Sequence, residues 1–110
     1  MKKHEEFGLR FSQYKNPING NLKKDIIKYT VNQHSELLII KRLDDKDAKA
    51  LIRNIDNALQ GKHFDETICI QSIEDEDIEI HPPNIIINNI CTLPLTDMKT
   101  ILEEWIAFKP

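Results

Sequence analysis

The stretch IEDEDIEIHPPN, residues 73–84, gathers five carboxylates, Glu74, Asp75, Glu76, Asp77 and Glu79, between positions 74 and 79. No Lys or Arg stands nearby in the sequence to offset them. Like charges this close repel, so water, a metal ion or a basic partner must screen them. The three alternatives imply different chemistry. Water makes the segment a solvated hairpin tip, a metal makes it a binding loop, and a basic partner makes it a docking surface.

The residue pattern argues against a metal cage. Calcium loops set acids at alternate positions, with a glycine for the sharp turn and a distal bidentate glutamate. Here the acids are consecutive, on a strand–turn segment that sends neighbours to opposite faces, and no glycine lies within it. Catalysis has equally little support. The four histidines, His4, His34, His63 and His81, sit in or beside turns and termini on no shared element, as solvated or capping residues would. A general base needs a positioned partner and partial burial. Cys69 lies in a strand-like stretch rather than at a helix N-terminus, where its thiol would be activated. The three glycines form no phosphate cradle. The expectation is a protein that is not an enzyme and needs no cofactor or metal.

Charge is distributed unevenly along the chain, whose net charge is −3. Residues 1–62 hold 13 Lys and Arg against 8 acids, whereas residues 63–98 hold 8 acids and no Lys or Arg. The negative field is therefore regional, and Asp65 and Glu66 stand as possible neighbours of the 74–79 cluster on one side. A broad acidic face repels phosphates, which disfavours direct nucleic-acid binding, and steers a cationic macromolecule at long range. The basic first half interleaves its lysines with acids and carries no aromatic platform for stacking bases.

The elements that must position these residues follow from periodicity. At 110 residues, 40% hydrophobic and 30% charged, the chain reads as one globular domain, residues 1–110. FGLRFSQY alternates apolar and polar residues as a half-buried strand does, and NPING reads as the turn after it. DIIKYTVNQ and SELLIIKRL read as second and third strands of an antiparallel meander. LDDKDAKALIRNIDNALQGK sets Ala48, Leu51, Ile52, Ile55, Ala58 and Leu59 at helical spacing, with Asp44 or Asp45 as cap and Gly61 at the end. ETICIQSI, DIEIH and NIIIN read as three more strands, with the acidic residues at the turn between the first two and His81-Pro82-Pro83 breaking the ladder. A second amphipathic helix carries Met98, Ile101, Leu102, Trp105 and Ile106 inward, is capped by Thr96 or Asp97, and ends at Pro110. The order is βββαβββα, an α+β domain with antiparallel sheet and two amphipathic helices.

No apolar run reaches the ~18 residues that a membrane span requires, and the N-terminal residues lack the apolar core of a secretory signal. Cys69 and Cys91 are expected to be buried free thiols in a reducing compartment, so a cytoplasmic location is expected.

The segment LPLTDMKTILEEWIAFKP, residues 93–110, resembles the closing helix of bacterial immunity proteins that accompany polymorphic or contact-dependent growth-inhibition toxins. The matching positions are Pro94, Leu95, Asp97, Ile101, Leu102, Trp105 and Phe108. They form a packing motif, not a catalytic one. The resemblance implies a stoichiometric antitoxin that binds the C-terminal domain of a cognate toxin, a basic RNase or DNase, and blocks it. Glu74, Asp75, Glu76, Asp77 and Glu79 would then be the contact set, flanked by Asp65 and Glu66, with Trp105 in the core. A small adaptor or regulatory interaction module is the alternative, since the same acidic face would serve it.

Overall fold

The computed structural model describes residues 2–108. It is a single α+β domain in which two antiparallel sheets and two long helices enclose one core. The elements run α1 (Lys3–Glu6), β1 (Arg10–Lys15), β2 (Leu22–Ile27), a 3-10 helix (Gln33–Arg42), α2 (Asp45–Leu59), a 3-10 turn (Gln71–Ile73), β3 (Ile78–His81), β4 (Asn84–Ile87), β5 (Cys91–Pro94) and α3 (Leu95–Ala107). Among the described residues no helix is long and apolar enough to cross a membrane.

Both long helices form where helical periodicity places them. Asp44 caps α2, its carboxylate accepting the Asp47 N–H at 2.8 Å. Gly61 follows at φ +71°, a left-handed conformation that glycine adopts without steric cost. Helix α3 starts at Leu95, two residues earlier than a Thr96 cap and three earlier than an Asp97 cap would allow, because Pro94 occupies the cap position. Pro110, expected to end this helix, lies outside the described residues.

The three-stranded sheet is ordered β3-β4-β5. Its register pairs Ile78 with Ile87, Ile80 with Ile85, Ile85 with Leu93 and Ile87 with Cys91, and all six side chains are buried. Because strand side chains alternate, these residues form the inner face and leave Glu79, Ile86 and Thr92 on the outer one. Onto the inner face pack Met98, Ile101, Leu102 and Trp105 of α3, Leu51 and Ile55 of α2, and Leu37 and Ile40 of the 3-10 helix. Each fully buried Leu or Ile contributes about 1.5–3 kcal/mol, so this Ile-rich layer holds the domain together.

Three strand expectations fail in instructive ways. SELLIIKRL is not a strand but the 3-10 helix Gln33–Arg42. Its four consecutive apolar residues, Leu37 to Ile40, satisfy neither period uniquely, and the local caps decide. The Asn32 side chain accepts the His34 N–H at 2.9 Å, while Ser35 Oγ accepts the Asn32 N–H at 3.1 Å. ETICIQSI contributes only an isolated bridge, Thr67 with Glu79, and the 3-10 turn. The third strand of the three-stranded sheet is instead Cys91–Pro94, which was not expected and which alternates Cys91 and Leu93 inward against Thr92 and Pro94 outward. Tyr29 and Val31, read as strand residues, lie beyond the end of β2 and are exposed.

The two-stranded sheet is a separate hairpin whose inner face carries Phe11 opposite Ile26. It closes over the C-terminal turn of α3. Phe11 meets Trp105 edge-on at 5.1 Å between centroids, and Lys24 lies 4.2 Å above the indole. Lys24 Nζ also donates to the Trp105 carbonyl at 2.7 Å, neutralising the negative end of the helix.

Candidate functional site

The acidic segment is assembled by contacts from distant parts of the chain. Glu74 and Asp75 form the turn after the 3-10 turn, and Asp77 leads into β3. Asn88, in the β4–β5 turn, fixes the segment from below. It adopts φ +54°, a left-handed conformation that asparagine tolerates. From there its N–H donates to the Asp77 carbonyl at 2.6 Å and its Oδ1 accepts the Asp77 N–H at 2.8 Å. Asn88 Nδ2 donates to Glu36 Oε1 at 3.0 Å and to Glu76 Oε2, so one amide holds two carboxylates together.

Arg42, at the end of the 3-10 helix, supplies the cation that the neighbouring sequence lacks. Nη2 lies 2.7 Å from Asp75 Oδ1, and Nη1 lies 3.3 Å from Glu76 Oε1. The guanidinium hydrogen bond, joined by the backbone N–H of Asp75 itself, holds the Asp75 carboxyl below its ordinary value. No Lys or Arg stands near the cluster in the sequence, but folding brings one guanidinium against its five carboxylates. The offset is partial. Glu79, on the outer face of β3, has His81 Nε2 at 3.3 Å. No ion pair among the described residues reaches the carboxylates of Glu74, Asp77, Asp65 or Glu66.

The strip Thr67–Ile70 organises the acids around it. Glu74, Glu76 and Asp77 line one open depression of about 460 Å³ together with this strip and Gln71. Asp65 lines a second, of about 160 Å³, between the strip and Ala50, Leu51 and Asn54 of α2. Glu79 is itself half of the Thr67–Glu79 bridge, and Glu66 adjoins it. Asp75 turns to Arg42, which Glu76 also reaches from the rim of the first depression. The floor beneath the acids is half apolar, because Ile68 and Ile70 are half-buried against the core. Arg42, Asn88 and Glu36, which set this geometry, were not among the expected site residues. Only tertiary folding brings Arg42 to the cluster across 33 positions.

A second polar cluster corrects the reading of the histidines. His4 is buried, its ring stacked on Phe11 at 3.8 Å. Glu104 of α3 receives its Nδ1 at 2.8 Å, its backbone N–H at 2.9 Å, and the Lys3 N–H at 3.0 Å. Burial pushes the Glu104 carboxyl up, but the bonds from the His4 and Lys3 backbones and the His4 ring outweigh it and hold the carboxyl below its ordinary value. A His–carboxylate pair can be part of a catalytic arrangement, yet no Ser or Cys among the described residues hydrogen-bonds this ring. Its work is to clamp α1 onto α3. Cys69 is exposed, contrary to expectation, while Cys91 is buried, and both are free. Among the described residues no three His, Cys, Asp or Glu side chains converge to hold a metal ion. Compared with known proteins, the chain matches no family model, no curated protein and no solved structure, so the role of this site rests on its own residues.

Proposed function

We propose that this protein is a non-catalytic immunity protein that binds and neutralises a cognate toxin domain, a basic nuclease, through the acidic surface around Thr67–Ile70. The observation that carries the reading is the set of carboxylates on Glu74, Asp77, Asp65 and Glu66 that no cation of the described chain engages, set beside a half-apolar strip. Such carboxylates accept charge-assisted hydrogen bonds from Lys and Arg, and their summed field speeds encounter. Arg42 and Asn88 hold the segment in shape before a partner arrives, which reduces the ordering cost of binding. The packing motif of residues 93–108 supports the reading through its resemblance to the closing helix of immunity proteins.

The proposal predicts that an adjoining gene encodes a secreted protein with a toxic C-terminal domain, and growth of cells producing that domain, with and without this chain, tests it. Restored growth and a one-to-one complex are expected. Arrested growth despite folded, abundant protein would refute it.

The same acidic face would serve the adaptor reading, and a second surface favours it. Ile18, Tyr29 and Val31, on the β1–β2 turn and the loop after β2, are 93%, 75% and 90% exposed. Apolar residues this open suit a contact with another protein. If Tyr29→Ser and Val31→Ser abolish the chain's interactions while acid-to-lysine changes do not, the adaptor role is the correct one.

A further inference from the structure

The strip beside β3 is an incomplete strand, and its hydrogen bonds show which of its edges is open. In an antiparallel pair, successive residues direct their N–H and C=O alternately toward and away from the partner. Glu66 and Ile68 face β3: Ile80 N–H donates to the Glu66 carbonyl at 2.7 Å, and Ile68 N–H donates to the Ile78 carbonyl at 2.9 Å. Asp65, Thr67 and Cys69 have the opposite parity and direct their backbone groups away from the sheet.

At Asp65 this outward edge is already occupied. Asn54 Oδ1 accepts the Asp65 N–H at 2.9 Å, and Asn54 Nδ2 donates to the Asp65 carbonyl at 2.9 Å. One carboxamide thereby makes both bonds that a neighbouring strand would make. At Thr67 and Cys69 nothing takes that place. No residue among those described hydrogen-bonds the N–H or C=O of either, and both residues are exposed. The depression between this edge and Ala50 of α2 lies directly alongside.

We infer that the Thr67–Cys69 edge receives an extended, cationic segment of the partner protein as an added strand, continuing the line that Asn54 begins. Exposed strand edges are templates for such pairing, and natural proteins usually block them with lysine, proline or a covering element. None of these guards Thr67–Cys69. Main-chain bonds to Thr67 and Cys69 supply the docking register, and side chains at alternate positions of the incoming segment supply the selection. The surrounding charge commits the occupant: Asp65 lines the same depression as this edge, Glu74 and Asp77 line the depression on the same strip, and together they favour Lys and Arg on that segment over acidic residues. A segment of two or three residues pairs here, about 7–10 Å of chain, which is short enough to come from a loop or a frayed strand end.

The inference rests on the reading that this face docks a basic protein. Its test uses the full chain and two synthetic decapeptides, one alternating Lys with Val and one alternating Glu with Val. Amide hydrogen exchange is followed by NMR. The Lys-Val peptide is expected to slow exchange at Thr67 and Cys69 at least tenfold and to leave the Asp65 amide, already bonded to Asn54, little changed. The Glu-Val peptide should slow neither. Thr67→Pro and Cys69→Pro each delete an N–H that serves no bond within the fold. Both variants are expected to keep the melting midpoint within a few degrees and to lose the peptide. Unchanged exchange at Thr67 and Cys69 with the cationic peptide at millimolar concentration overturns the proposal, as does equal slowing by both peptides. Failure of the two readings is distinguishable. If the toxin domain forms no complex but the cationic peptide still protects Thr67, the antitoxin role falls and the edge stands. If the toxin domain binds while Thr67 and Cys69 exchange freely in the complex, the edge falls and the antitoxin role stands.

Discussion

Arg42 and Asp75 lie 33 positions apart in the chain and 2.7 Å apart in space, the guanidinium Nη2 against the carboxylate Oδ1. This contact places the one Lys or Arg that, among the described residues, reaches the acidic segment on a separate element, where a partner's own arginine can compete with it. In Arg42→Ala the Asp75 carboxyl should titrate nearer its ordinary value of 3.8, because the bond that holds it lower is gone. The sign follows from linkage: a depressed folded value stabilises above the unfolded value and loses that stabilisation as pH falls. Both groups are exposed, so salt should weaken the effect. Carboxyl chemical shifts followed from pH 6 to 2 in both proteins measure it, and the same variant should associate faster with a basic partner.

Glu104 is the acid whose loss should matter most to the fold. It accepts two backbone N–H groups of α1 and the His4 ring. Glu104→Gln keeps the shape but replaces one acceptor oxygen by an NH2 that cannot accept a backbone N–H and leaves the other bonds uncharged, which should cost about 1–3 kcal/mol. The folded carboxyl titrates below its ordinary 4.5, so its stabilisation is complete above that pH and declines as pH falls below it. Melting midpoints from pH 7 to 3 should therefore fall more steeply in the wild type than in Glu104→Gln.

Trp105 is 1% exposed and packed by Phe11 on its edge and Lys24 on its face. Trp105→Ala should cost about 3–5 kcal/mol, a large share of the ~5–15 kcal/mol that stabilises a typical domain. Its indole N–H has no hydrogen-bond partner among the described residues. Trp105→Phe sacrifices no bond and should cost less than half as much, as urea denaturation of the two variants would show.

The cysteines should report the fold chemically. Cys69 is exposed, whereas Cys91 is buried, and burial followed by the nearby Glu36 carboxylate pushes its thiol up. A thiol reagent at pH 8 should modify one cysteine per native chain quickly and the second only when the chain unfolds. Mass mapping that finds Cys91 modified first would mean that β5 is wrongly placed.

How much of this was legible in the sequence depended on whether short-range pattern or long-range contact decided each feature. Helices α2 and α3 announce themselves, because five or six apolar residues repeat at helical spacing beside capping or terminating residues. Strands β3 and β4 follow from Ile78 alternating with Glu79 and from the two prolines after His81. Residues 37–40 are apolar without interruption, and the pairing of Asn32 with Ser35 was the only local sign of a helical start. Strand β5 is four residues long and ends in proline, too brief for period two to register. The acidic run itself was plain in the sequence. Its partial neutralisation by Arg42 and its anchoring by Asn88 were not, since neither residue stands beside it until the chain folds.

Electrostatic docking through the acidic face is measured most directly by association kinetics. The rate at which this protein binds the basic toxin domain proposed as its partner should be compared, across salt concentrations, with that of the triple variant Glu74→Lys, Asp77→Lys, Glu79→Lys. None of these three carboxylates is paired with Arg42, so the fold should be retained. The account predicts a wild-type rate that drops as salt rises and a variant at least about tenfold slower at low salt. Equal rates for the two proteins, with the same salt dependence, would contradict it.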